Sequence, residues 1–125
     1  MKGYEDIVAS PRGLRRSVRQ LAESLGPTPD AVAASLADLS IRGVRRSPSE
    51  CAVARYLRVI LGTEKGVADV WVVDRIYVRR TNRRILVPIR PTKAMLRFIY
   101  AFDRGGYPEL VDPIGEAATL SNIPT

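Results

Sequence analysis

Four arginines fall within six residues in Arg79-Arg80-Thr81-Asn82-Arg83-Arg84. A guanidinium is planar, always charged and presents a fork of donors that fits phosphate oxygens and guanine edges, so such a run is suited to holding a polyanion. Thr81-Asn82 reads as a two-residue turn, because Asn tolerates positive φ; this predicts Val78 opposite Ile85, Tyr77 opposite Leu86 and Ile76 opposite Val87. Alternation then gives Ile76, Val78, Ile85 and Val87 to a core face, and Arg75, Tyr77, Arg79, Arg84 and Leu86 to the other. The second face sets an aromatic ring among cations, a composition suited to phosphate contact and stacking. Charge at a hairpin tip also blocks edge-to-edge strand pairing, but one or two charges are enough for that.

Other chemistry is scarce. With no histidine, the chain lacks imidazole bases, Ser-His-Asp and Cys-His nucleophiles and His-containing metal sites. The single Cys51 excludes an internal disulfide framework and any multi-cysteine metal site, and reads as a half-buried small residue rather than a nucleophile. Asp69 and Asp74, near Lys65, are the only pair resembling the acidic ligands of a metal-dependent nuclease, and on a straight strand they fall on opposite faces. The plainer reading has Asp74 starting a turn and Asp69 paired with a neighbouring arginine. No glycine-rich phosphate loop of the Walker type is present. The expectation is a protein that is not an enzyme and needs no cofactor.

The 125 residues carry 20 Lys plus Arg against 13 Asp plus Glu, for a net charge of +7 and a pI near 10.2. Residues 1–48 hold 8 basic and 5 acidic groups, residues 49–90 hold 9 and 4, and residues 91–125 hold 3 and 4, so the excess lies in the first two thirds. Of the cations 17 are Arg; a GC-rich genome gives the same bias, so placement rather than the total carries information. With 46% hydrophobic residues the length suits one small domain with a single core. No apolar run is long enough to span a membrane and MKGYEDIVAS lacks the apolar core of a signal peptide, so the expected location is cytoplasmic.

The elements that must position these side chains follow from periodicity. Leu14, Val18, Leu21 and Leu25 recur at helical spacing from Pro11 until Gly26, and Arg12, Arg15, Arg16 and Arg19 fall on the opposite side. Thr28-Pro29-Asp30 reads as a cap, a first-turn proline and an acid favoured by the helix dipole, opening a second helix to about Ser40. After the basic connector Ile41 to Arg46, Ser47-Pro48-Ser49-Glu50 reads as a capping box for a third, central helix from Pro48 to Leu61, ended by Gly62. Val67–Val73, Arg75–Arg79 and Arg84–Val87 are rich in β-branched and aromatic residues and read as two or three antiparallel strands. A fourth helix is predicted from about Thr92 to Asp103, then a short extended segment Tyr107–Val111. The fold class is therefore α+β: three helices, a hairpin or meander and a C-terminal helix, in one compact basic domain over 1–111 with a flexible tail over 112–125.

The stretch Val18 to Leu36, with Leu21-Ala22, Leu25-Gly26, Thr28, Val32 and Leu36 at matching positions, resembles the helix-turn-helix of DNA-binding regulators. That resemblance implies a second helix in the major groove, where Thr28, Pro29, Asp30, Ala33 and Ala34 stand at the reading positions. The order of elements also looks like a winged helix; this implies that the hairpin is a wing and that the third helix reads, with Arg45, Arg46, Ser49, Arg55 and Arg58 as polar contacts. The two versions assign recognition to different helices. Cys51 to Leu57 and Phe102 to Leu110 are similar to segments of short actinobacterial and phage proteins, a likeness that carries no activity with it.

The resulting expectation is a small α+β protein of winged-helix type that binds double-stranded DNA, with transcriptional regulation as the expected role. Its contacts come from Arg12, Arg15, Arg16 and Arg19 on the first helix, Arg45 and Arg46 in the connector, and Arg75, Tyr77, Arg79, Arg80, Arg83 and Arg84 on the hairpin. The alternative is an accessory factor whose hairpin surface, with Trp71, Tyr77 and Leu86, binds another protein.

Overall fold

A computed structural model describes residues 11–81 and 86–115 of the chain. Helix α1 (Pro11–Ser24) buries Leu14, Val18 and Ala22 on one side and leaves Arg12, Arg15, Arg16, Arg19, Gln20 and Glu23 exposed on the other. It ends at Gly26, whose φ of 124° lies in the left-handed region and whose missing Cβ leaves room for Ala31, 2.5 Å from where a methyl would sit. Thr28 then caps α2 (Pro29–Asp38): its Oγ1 accepts the Ala31 amide at 3.1 Å, as predicted. Ser35 Oγ donates to Leu25 O at 2.8 Å and ties α2 to the end of α1.

The connector is more ordered than its sequence implies. Gly43 donates its amide to Leu110 O and accepts from Asp112 N, both at 2.8 Å, in a parallel bridge with Val111. Helix α3 runs Ala52–Lys65, not from Pro48 to Leu61. Ser47 Oγ does accept the Glu50 amide at 3.2 Å, but this closes a separate turn, because the Glu50 carboxylate turns to Arg55 and Arg58 instead of back to Ser47. Cys51 is the cap, its Sγ accepting the Ala54 amide at 3.4 Å, and the helix continues through Gly62 to a left-handed Gly66. Ala52, Val53, Ala54, Tyr56, Leu57 and Leu61 are buried, so α3 is the central helix of the core.

Cys51 is buried, not half-buried, and burial pushes its thiol pKa up to about 11. A thiol held neutral and covered is a poor nucleophile. Labelling by a thiol reagent near pH 8 is therefore expected to be slow in the native protein and fast in denaturant; fast stoichiometric labelling of the native chain contradicts the burial.

Strands β1 (Val67–Val72), β2 (Ile76–Arg80) and β3 (Val87–Ile89) form an antiparallel sheet in the order β1-β2-β3. The observed register pairs Ile76 with Ile89, Tyr77 with Pro88 and Val78 with Val87. The predicted register is therefore wrong by two residues, and Thr81-Asn82 is not a two-residue turn: the connection spans residues 81–86, of which Asn82 to Ile85 lie outside the described residues. A slip of two preserves the faces, since side chains alternate with period two. Ile76, Val78 and Ile89 face the core with Val87 beside them, while Trp71, Tyr77 and Pro88 stand side by side on the outer face. Pro88, just past the predicted end of the last strand at Val87, is inside β3. An edge strand tolerates it because its missing donor would point away from the sheet.

Helix α4 (Lys93–Asp103) is capped by Thr92, whose Oγ1 accepts Met95 N at 3.1 Å, and buries Ala94, Met95, Phe98 and Phe102. Phe98 stacks on Phe102 with centroids 5.7 Å apart and meets Tyr107 in a tilted contact at 5.1 Å. Pro108–Leu110 is a 3-10 turn, not an extended segment. Asp112 Oδ1 accepts the amides of Ile114 and Gly115 at 3.0 and 3.1 Å; residues 116–125 of the predicted tail lie outside the described residues. Among the described residues no helix is long and apolar enough to cross a membrane.

Candidate nucleic-acid interface

Arg12, Arg15, Arg16 and Arg19 lie within about two turns of α1, a span of roughly 10 Å. All four are exposed and, with Gln20 and Glu23, line a shallow groove of about 390 Å³. Among the described residues none of the four arginines is in an ion pair. Their charge is therefore available to an outside anion. Arg15 Nε also donates to Pro88 O at 3.3 Å. The proline leaves its carbonyl on the open edge of β3, and the arginine of α1 fills it. The basic face of α1 thus lies against the β3 edge, some seventy residues away in sequence, and exposed Arg90 follows directly after that strand.

The remaining predicted contacts divide. Tyr77 is half-buried between Trp71 and Pro88 on the outer face of the sheet. Arg79 forms an ion pair with Asp69, its cross-strand partner, so much of its charge is already answered. Arg80 is half-buried at the end of β2. Arg75 is exposed at the β1–β2 turn, where Val73 N donates to Arg75 O at 3.0 Å; five residues of strand, about 17 Å, separate it from Arg80. Arg83 and Arg84 lie outside the described residues. The plainer reading of the two acids holds: Asp69 pairs with an arginine and Asp74 sits in the turn, and no metal-binding group of three acids or thiols occurs among the described residues.

Arg45 serves the fold. Its Nε donates to Phe102 O at 2.9 Å, a terminal nitrogen to Gly105 O and Gly106 O at 3.1 and 3.3 Å, and its guanidinium lies 5.5 Å from the Phe102 ring. A cation on the last carbonyls of α4 complements the helix dipole. Arg46 is exposed but stands beside α4, away from α1. Arg55 and Arg58, the would-be readers on the third helix, are also occupied. Arg55 binds Glu50 at 2.9 Å, Asp112 at 2.8 Å and Arg42 O at 3.1 Å, and Arg58 binds Glu50 at 3.3 Å and Ser49 O at 3.0 Å. On α2, Asp30 accepts a hydrogen bond from Tyr107 OH at 2.7 Å, which pushes the phenol pKa up to about 12. The other reading positions of α2 offer only alanines, Pro29 and the capping Thr28.

The Glu50–Arg55–Asp112 cluster, which sequence spacing does not reveal, makes stability depend on pH. Partial burial raises the Glu50 pKa, but hydrogen bonds from Arg58 and Arg55 outweigh it and leave the carboxyl below its ordinary value; the Arg55 hydrogen bond lowers Asp112 likewise. Because both carboxyls are more acidic folded than unfolded, their contribution is full above about pH 5 and is lost as the pH falls below the unfolded values near 4 and on through the lower folded ones. Urea midpoints measured across this range are expected to fall towards acid, and more shallowly in Arg55→Leu. An equal acid slope in that variant would contradict the assignment.

No protein-family model, curated protein or solved structure matches the chain.

Proposed function

We propose that this protein binds double-stranded DNA through its phosphates, without reading sequence, by laying the arginine face of α1 and the adjoining β3 edge along the backbone. The observations that carry the reading are the four exposed arginines on one face of α1, none in an ion pair among the described residues, and the Arg15–Pro88 contact that sets this face against the β3 edge beside Arg90. Phosphate contacts position a protein on DNA, whereas base edges specify sequence. The residues of α2 and α3 at reading positions have few free hydrogen-bonding groups: Asp30, Arg55 and Arg58 are engaged within the fold. The proposal therefore departs from a helix-turn-helix regulator and retains its DNA partner.

Fluorescence anisotropy with two unrelated duplexes over a range of salt concentrations tests this. Four to five phosphate contacts predict a slope of log K against log salt of about −4, from roughly −0.9 per contact, and similar affinities for both duplexes. Absence of binding at low salt, or a strong preference for one duplex, would refute it.

A further inference from the structure

At the β1 edge of the sheet, the opposite edge from α1, the end of β1, the 46–51 loop and α4 enclose a cleft of about 840 Å³. Three of the seven large apolar side chains exposed among the described residues line it: Val73, Leu96 and Tyr100, at 55%, 36% and 60% exposure. Isolated exposed apolar side chains are ordinary, but three converging on one concave site mark a surface built to be covered. Arg46, Arg97 and Arg104 stand around the same cleft.

One of these cations sits on strained backbone. Arg46 has φ 58°, a left-handed conformation that a non-glycine residue adopts only where its surroundings impose it, and its amide donates to Asp103 Oδ1 at 2.7 Å. That bond also turns the one acid of the cleft towards the backbone. The Arg104 guanidinium lies 3.9 Å from the centroid of the Tyr100 ring, so its side chain is ordered before any partner arrives. The arrangement has apolar walls, three cations at the rim and one internally satisfied acid.

We propose that this cleft docks an acidic amphipathic segment of a partner protein, which seats large apolar side chains against Val73, Leu96 and Tyr100 and places carboxylates on Arg46, Arg97 and Arg104. Charge complementarity selects the occupant: a phosphate backbone would lay hydrated charge on apolar walls, and a neutral peptide would leave three guanidiniums unanswered at the rim. The proposal is independent of DNA binding, which uses the other edge of the sheet.

A phage-displayed random peptide library, selected on the full chain and counter-selected on a Leu96→Glu, Tyr100→Ala double variant, tests it. Both side chains are exposed, so the variant should melt like the parent; Val73→Glu, also exposed, serves as a second counter-selector if it does not. Expected are sequences that combine Asp or Glu with Leu, Phe or Trp, bind the double variant at least about tenfold more weakly, lose affinity as salt rises, and are not displaced by random duplex DNA. Failure to enrich any sequence over counter-selection, enrichment of basic or neutral sequences, displacement by duplex DNA, or competition only by a small molecule overturns the proposal.

Discussion

Replacing Arg12, Arg15, Arg16 and Arg19 together by glutamine is expected to lower affinity for random duplex DNA by about three orders of magnitude at 0.1 M salt. Each phosphate contact contributes roughly 0.9 to the slope of log K against log salt, so four lost contacts flatten the slope by about 3.6, and the same exponent sets the loss at fixed salt. Glutamine keeps helix propensity and part of the aliphatic stem, and the buried side of α1, formed by Leu14, Val18 and Ala22, is untouched. Only the Arg15 bond to Pro88 O is lost from the fold, and such an exposed contact is worth well under about 1 kcal/mol. The variant should therefore melt within a few degrees of the parent. An unchanged salt slope in a folded variant would remove α1 from the interface.

Gly43→Ala is expected to destabilise the protein by about 3 kcal/mol or more, a large effect for one methyl group. A Cβ at this position would overlap the Ala52 amide nitrogen and lie 2.6 Å from the Cys51 carbonyl carbon and 2.7 Å from Ala52 Cα. All three are backbone atoms at the start of α3, which cannot swing aside as a side chain can. Moving Gly43 instead would break its bonds to Leu110 O and from Asp112 N, and with them the approach of Asp112 to Arg55. Chemical denaturation should show a large fall in midpoint at unchanged slope. A loss of less than about 1 kcal/mol would mean that the connector does not press on α3 so closely.

Local signals wrote most of the elements into the sequence. Thr28-Pro29-Asp30 opens α2 as its side chains predict, the fourth helix lies within a residue of its predicted bounds, and the spacing of Leu14, Val18 and Leu25 orients α1 with its arginines outward. What failed depended on competition from partners outside the local motif. Glu50 has the spacing of a capping box with Ser47, but Arg55 and Arg58 offer its carboxylate charge-assisted bonds, and the cap passes to Cys51. The hairpin register failed for a related reason: Asn82 permits a tight turn, but pairing Ile89 with Ile76 buries a further apolar residue at the cost of a longer connection. Faces survived that error because the slip is even. The adjacency of α1 and β3 and the cleft beside α4 depend on tertiary packing alone, which no spacing in the chain encodes.

Mapping amide shifts in the nitrogen-15 labelled protein on titration with a random duplex tests the central claim most directly. Perturbations should concentrate on residues 12–20 of α1 and on 87–90 around β3, weaken as salt rises, and spare α2 and the α4 cleft. Shifts confined to residues 29–38, or to 96–104, would contradict it, as would an unperturbed spectrum at low salt.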